Sequence, residues 1–157
     1  MQEMNANNRS CGSCTACCFT HAVAEVNTKS GEWCKNCSKN GCSIYDARPA
    51  GCRLYECWWL KGKGDESDRP DLSGFVMDGL DIPGGHDLGI VNLWEVTDGA
   101  LESNRARQII QAVLDQNSVI GLYIPADKKL SLRFPTTMTI AEREEFVRAF
   151  REFDHKQ

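Results

Sequence analysis

The chain has 157 residues, of which 41% are hydrophobic and 25% charged, with a formal net charge of −4. This is ordinary globular composition, with enough apolar material for a core, so disulfide staples are not needed merely to fold. No stretch approaches the roughly 18 apolar residues of a membrane-spanning helix. Residues 1–64 carry 8 Lys/Arg against 5 Asp/Glu (+3) and residues 65–157 carry 10 against 17 (−7), a basic excess too small to indicate a nucleic-acid partner.

Residues 1–10 are polar and read as a disordered lead-in. With no apolar h-region there, the expected address is the cytoplasm, where thiols stay reduced. Residues 11–62 form a cysteine module rich in Gly, Ser, Asn and Lys, with little periodic apolar pattern. Such a segment has little to bury, so metal ligation is expected to supply much of its folding energy. Residues 63–71 read as a polar connection.

Residues 63–157 read as a small α+β part. Gly74–Met77 is a short strand, and Ile90–Val96 alternates as a second. Leu101–Gln116 places Ala106, Ile109, Ile110, Val113 and Leu114 at helical spacing, with Asn117 as its stop. Val119–Ile124 and Leu130–Phe134 are strands joined by a short loop. The last helix begins at Thr139, with Glu142 completing a capping box, and presents Ile140, Phe146, Val147, Phe150 and Phe153 on one face. The predicted fold class is α+β, an irregular Cys-rich metal-binding N-terminal module packed on a small sheet with two helices.

All nine cysteines, Cys11, Cys14, Cys17, Cys18, Cys34, Cys37, Cys42, Cys52 and Cys57, lie between positions 11 and 57. A disulfide framework would spread over the domain it staples. Clustered thiols in a reducing compartment read as metal ligands or redox groups. Two cysteines separated by two residues turn toward one ion when the backbone between them is tight, and Gly12 and Ser13 suit such a turn. Four thiolates satisfy tetrahedral zinc or a cubane iron–sulfur cluster, and spacing does not separate the two. Nine thiols fill two four-ligand sites with one left over, or one site plus a redox pair. Cys17 and Cys18, as neighbours on an extended backbone, would point in different directions and take separate roles.

The run Cys11-Gly-Ser-Cys14-Thr-Ala-Cys17-Cys18, with the later block Gly41-Cys42-Ser-Ile-Tyr45-Asp-Ala-Arg48-Pro49-Ala-Gly-Cys52-Arg53-Leu-Tyr55-Glu-Cys57-Trp58, resembles the YkgJ-type cysteine cluster proteins. These are a zinc- or iron-chelating domain family marked by the CxxCxxCC run. The resemblance covers about residues 11–60 and extends weakly downstream. It implies metal chelation and no defined reaction. A flagellin lysine N-methylase group carries a similar run, which keeps an enzyme reading open. The family places a single cysteine where Cys34 stands and an apolar residue where Cys37 stands, so Cys37 reads as a spare thiol or an added ligand.

Arg48 is expected to offset thiolate charge or bind a backbone carbonyl, with an ordinary surface arginine as the alternative. Tyr45, Tyr55, Trp58 and Trp59 are expected to pack around the metal. His21 is a candidate for a mixed Cys/His ligand set. His86 and His155 read as exposed. Asp78, Asp81 and Asp87 lack calcium-loop spacing and read as solvated loop carboxylates. The leading expectation is a binding protein holding zinc or iron, an iron–sulfur cluster included, with an unknown protein partner. The alternatives are an iron–sulfur redox or methylase-like enzyme, and a thiol redox protein.

Overall fold

The computed structural model describes residues 8–80 and 89–154, and its architecture is α+β. The cysteine region is built of short pieces, as its polar composition dictates. Helix α1 (Cys17–Thr20) is a single turn, strands β1 (Cys37–Ser38) and β2 (Gly41–Cys42) pair as a small antiparallel hairpin, and α2 (Ala50–Arg53) is a second single turn.

The stretch expected as a polar connection is instead folded and packed. Glu66–Asp68 makes a 3-10 turn closed by a reciprocal Asp65/Asp68 cap, and α3 (Pro70–Ser73) follows. Asp68 is only 1% exposed because Arg105 reaches it with two hydrogen bonds, Nε to Oδ1 at 2.7 Å and Nη2 to Oδ2 at 2.6 Å. The lead-in is likewise anchored at its described end. Arg9 donates to the carbonyls of Trp59, Lys63 and Gly64 and lies 4.9 Å over the Trp59 ring. Residues 1–7 lie outside the described residues.

The main sheet runs β3-β4-β5-β6, comprising β3 (Phe75–Leu80), β4 (Ile90–Glu95), β5 (Val119–Ile124) and β6 (Lys129–Arg133). Its outer pairs are antiparallel and β4/β5 is parallel. A parallel pair needs a crossover connection, and helix α4 (Asn104–Asp115) supplies it. This helix starts later than its apolar spacing predicts because the Ser103 hydroxyl accepts from the Ala106 N–H at 3.1 Å and caps it there. Leu101 sits in the 3-10 turn before the cap. Asn117 stops the helix in the left-handed region at φ +60°.

Alternation along the strands divides the apolar residues between two faces. Phe75, Met77, Val91, Leu93 and Ile120 pack against Ala106 and Val113 of α4. On the other face, Ile90 and Val119 pack with Met138 and with Phe146 and Phe150 of α5 (Ile140–Asp154). The capping box at the start of α5 forms as expected, Glu142 accepting from the Thr139 N–H at 2.7 Å. Ile140, expected on the buried face, is 74% exposed. Ile140 and Val147 share a stripe about 100° around the helix from that of Phe146, Phe150 and Phe153, because each residue turns the helix by about 100°. No helix among the described residues is long and apolar enough to cross a membrane.

Candidate metal centre

Short turns gather the cysteines. The Cys14 N–H donates to the Cys11 carbonyl at 2.8 Å, and Gly12 takes the left-handed conformation this turn requires, φ +55°. Cys17 and Cys18 open α1 rather than lying extended, so the extended geometry expected for them is corrected. Neighbours on a helix diverge by about 100°, yet these two side chains hydrogen-bond to each other and border one cavity.

The Cys34 N–H donates to the Cys18 carbonyl at 3.1 Å, and the Cys37 N–H to the Cys34 carbonyl at 2.9 Å. Cys37 and Cys42 are direct partners across the β1/β2 hairpin. Cys52 lies in α2, behind Pro49, whose φ of −65° suits the start of a helix. Cys57 is held beside the sheet because the next residue, Trp58, donates its N–H to the Met77 carbonyl at 2.8 Å. The Cys57 sulfur accepts from the Leu60 and Trp59 amides, and the Cys14 sulfur from the Ala16 amide.

Seven of the nine cysteines, Cys11, Cys14, Cys17, Cys18, Cys34, Cys42 and Cys52, line a single cavity of about 220 Å³. Cys37 and Cys57 stand beside it. Cys37 hydrogen-bonds to Thr15 and Cys18, and Cys57 lies within electrostatic reach of Cys11 and Cys14. Among the described residues, no three His, Cys, Asp or Glu side chains already stand together as a metal-holding group. Burial pushes the thiols of Cys11, Cys52 and Cys57 up, and that of Cys14 up to about 11. Cys18 is the exception, drawn down to about 7 by its hydrogen bond with Cys17.

Arg48 makes the backbone-carbonyl contact expected of it. Its Nε donates to the Tyr45 carbonyl at 2.8 Å, its guanidinium stacks 3.6 Å over the Tyr45 ring, and its charge reaches Cys11, Cys18 and Cys52. Tyr45 and Tyr55 line the cavity. Trp58 and Trp59 do not. Trp58 packs on the α4-side core, and Trp59, 5% exposed, donates its indole N–H to the Asp65 carbonyl. The Trp59 ring lies under the Arg9 guanidinium at 4.9 Å, and neither tryptophan lines the cysteine cavity.

A second cluster abuts the cavity and was not legible in the sequence. Asp78, read as a solvated loop carboxylate, is 9% exposed and lies within β3, which runs on past its predicted end. Its Oδ2 accepts from Tyr55 Oη at 2.9 Å and Trp94 Nε1 at 3.0 Å, and its Oδ1 from Asn92 Nδ2 at 2.9 Å. His21 adds its Nε2, 3.1 Å from Oδ2, while its Nδ1 lies 2.6 Å from the Thr20 hydroxyl. Both imidazole nitrogens are therefore engaged, which argues against His21 as a ligand, although its ring lines the cavity between Tyr55 and Trp94.

Burial alone would push the Asp78 carboxyl up, but the hydrogen bonds and charge of His21, with Asn92 and Trp94, outweigh it and hold the group below the ordinary carboxylate value. The cross-strand row explains the cluster. Asp78 pairs with Asn92 and Asn92 with Gly121, so the three share one face, and a Cβ on Gly121 would meet Asn92 Oδ1 at 2.9 Å. The available signal was an aspartate and an asparagine inside strand-like runs, where both residue types are depleted. Asp81, His86, Asp87 and His155 lie outside the described residues. Compared with models of known protein families, with curated proteins and with solved structures, the chain matches none.

Proposed function

We propose that residues 11–57 are a thiolate centre for zinc or iron, an iron–sulfur form included, and that the protein works as a metal-binding protein. One observation carries this reading, the convergence of seven cysteine side chains from separate turns on one cavity beside Arg48. Soft thiolates select zinc, copper(I) and iron–sulfur centres over hard cations. Burial keeps most of these groups protonated on their own, and a bound cation would take the protons' place and turn them into thiolates. Each sulfur swings on one torsion among staggered wells, so a cation would gather its ligands by side-chain rotation while the backbone turns stay as they are. The resemblance to YkgJ-type proteins points the same way.

Elemental analysis of the full chain purified anaerobically, with acid-labile sulfide, tests this. Stoichiometric zinc, or iron with or without sulfide, is the expected result. Fully folded protein free of both metals would overturn it. A thiol redox reading draws on the contact of Cys18 with both Cys17 and Cys37 and on the low value of its thiol. That reading requires a defined disulfide potential after metal removal. Nine titratable thiols under mild oxidant would end it.

A further inference from the structure

Strands β1 and β2 set Cys37 directly opposite Cys42. The Lys39-Asn40 turn fixes this register, the Ser38 hydroxyl donating to the Gly41 carbonyl at 3.0 Å and accepting from the Asn40 N–H at 3.2 Å. The Ser43 N–H donates to the Asn36 carbonyl at 2.8 Å, so Asn36 and Ser43 are a hydrogen-bonded pair and, by alternation, Cys37 and Cys42 are not. Opposed residues of a non-hydrogen-bonded pair project from one face with their Cα atoms about 4.5 Å apart. A disulfide spans about 4.4–6.8 Å between Cα atoms. Both side chains are half-buried, within reach of solvent. Cys42 lines the cavity and Cys37 stands beside it. Other pairings are less well placed. Cys17 and Cys18 touch, but adjacent Cα atoms are about 3.8 Å apart, too close for an ordinary disulfide. Cys34 is 8% exposed, out of reach of a dissolved oxidant. Cys18 meets Cys37 through a side-chain hydrogen bond, whereas the hairpin sets the Cys37–Cys42 spacing through the backbone itself. A turn of Cys37 about its Cα–Cβ bond, between staggered wells, is the movement that pairing with Cys42 requires.

We infer that Cys37 is a resolving thiol, which forms a reversible disulfide with Cys42 across the hairpin and so releases the metal. This inference rests on the proposed thiolate centre, in which Cys42 is one of the sulfurs lining the cavity. The oxidant is a low-molecular-weight disulfide such as oxidised glutathione, acting by thiol–disulfide exchange. Its S–S bond breaks and takes up two electrons, the Cys37–Cys42 S–S bond forms, and two small thiols leave. One of their protons comes from the Cys37 thiol. The other comes from water, because a metal-bound Cys42 has already given up its proton. The thiolate is the metal-binding form of cysteine, so an oxidised Cys42 no longer holds the cation. Exposed disulfides are the labile ones, and excess small thiol restores the ligand.

Anaerobic incubation of the full chain, purified with its metal, in oxidised glutathione tests this, read as metal in the filtrate and as disulfides mapped by mass spectrometry. Cleavage after Lys35 and Lys39 separates Cys37 from Cys34 and from Cys42, and fragmentation tells Cys42 from Cys52. The expected result is a Cys37–Cys42 cross-link that forms in step with metal release, both reversed by excess reduced glutathione and added metal. Cys37→Ser should hold its metal over the time in which the native chain loses it. Cys37 joined to Cys34 or Cys18, Cys37 left as a glutathione adduct, or Cys37→Ser losing its metal as fast as the native chain would overturn the switch and leave the thiolate centre standing. So would nine free thiols with the metal retained under excess oxidant. The map is made on the native chain, so it decides the pairing even should Cys37→Ser fail to fold. Folded native protein free of zinc and iron would instead sink the thiolate centre and, with it, the release step.

Discussion

His21 Nε2 lies 3.1 Å from Asp78 Oδ2, and this pair joins the cysteine region to the main sheet. Tyr55 reaches the same oxygen at 2.9 Å from another segment of that region. Asp78 therefore serves as a common acceptor for two side chains lining the cavity and for Asn92 and Trp94 of β4. Substituting Asp78→Ala strands buried donors on both sides, a class of change that costs about 3 kcal/mol. The expected outcome is a loss of that size in urea unfolding, together with faster metal transfer to a chelator. Unchanged stability would show that the cluster does not fasten the module.

Arg105 makes a two-pronged pair with the buried Asp68 and a further bond to Asp65 at 2.9 Å. It ties residues 65–68 to α4. Arg105→Ala leaves the Asp68 carboxylate buried without its cation and should cost about 3 kcal/mol by thermal or chemical denaturation. Arg69, which pairs with Asp71 at the surface, gives the contrast: Arg69→Ala should change stability by less than about 1 kcal/mol.

The acid response follows from the same carboxylates. Hydrogen bonds from Arg105 hold the Asp68 carboxyl below its ordinary value. A folded value below the unfolded one means that the unfolded chain takes up the proton first as pH falls. The stabilisation is therefore complete above the unfolded value of about 3.9 and is lost as pH drops through the folded value. Denaturation curves of the native sequence and Asp68→Asn should be far apart at neutral pH and converge in acid. Subtracting the two cancels the acid sensitivity of every other group, which both chains share. A gap that stays constant with pH would contradict the role given to this carboxylate.

Ligand loss should be more damaging than core trimming. Structural zinc contributes about 10–16 kcal/mol of apparent binding energy to small domains, and the cysteine region has little apolar core of its own. Cys14→Ser and Cys42→Ser should each unfold this region, read as loss of bound metal and of its melting transition. Cys37→Ser should be milder. Equal severity in Cys37→Ser would make Cys37 a true ligand.

Local chemistry made several elements legible without any structure. The Thr139/Glu142 box, the strand at Val119–Ile124 and the apolar stripe of Ala106, Ile109, Val113 and Leu114 depend on neighbours within a few residues. The turn at Cys11–Cys14 did too, since a CxxC spacer with glycine closes on itself. The sequence predicts that β3 ends at Met77, since Asp and Gly are depleted in strands, whereas pairing with Asn92 and Val91 carries Asp78 and Gly79 on in the sheet.

The order of residues by itself determined where the thiols lie, that they are too many and too clustered for a staple framework, and that helices and strands follow them. Those properties come from composition and from short-range geometry. Only the tertiary structure decided that Asp78 and Asp68 are buried, that Arg9 and Arg105 reach across the chain to hold polar segments, and that Trp58 and Trp59 do not line the cysteine cavity. A buried charge is stable only beside a partner, and here each partner is supplied by a segment distant in sequence, so no local pattern announces it.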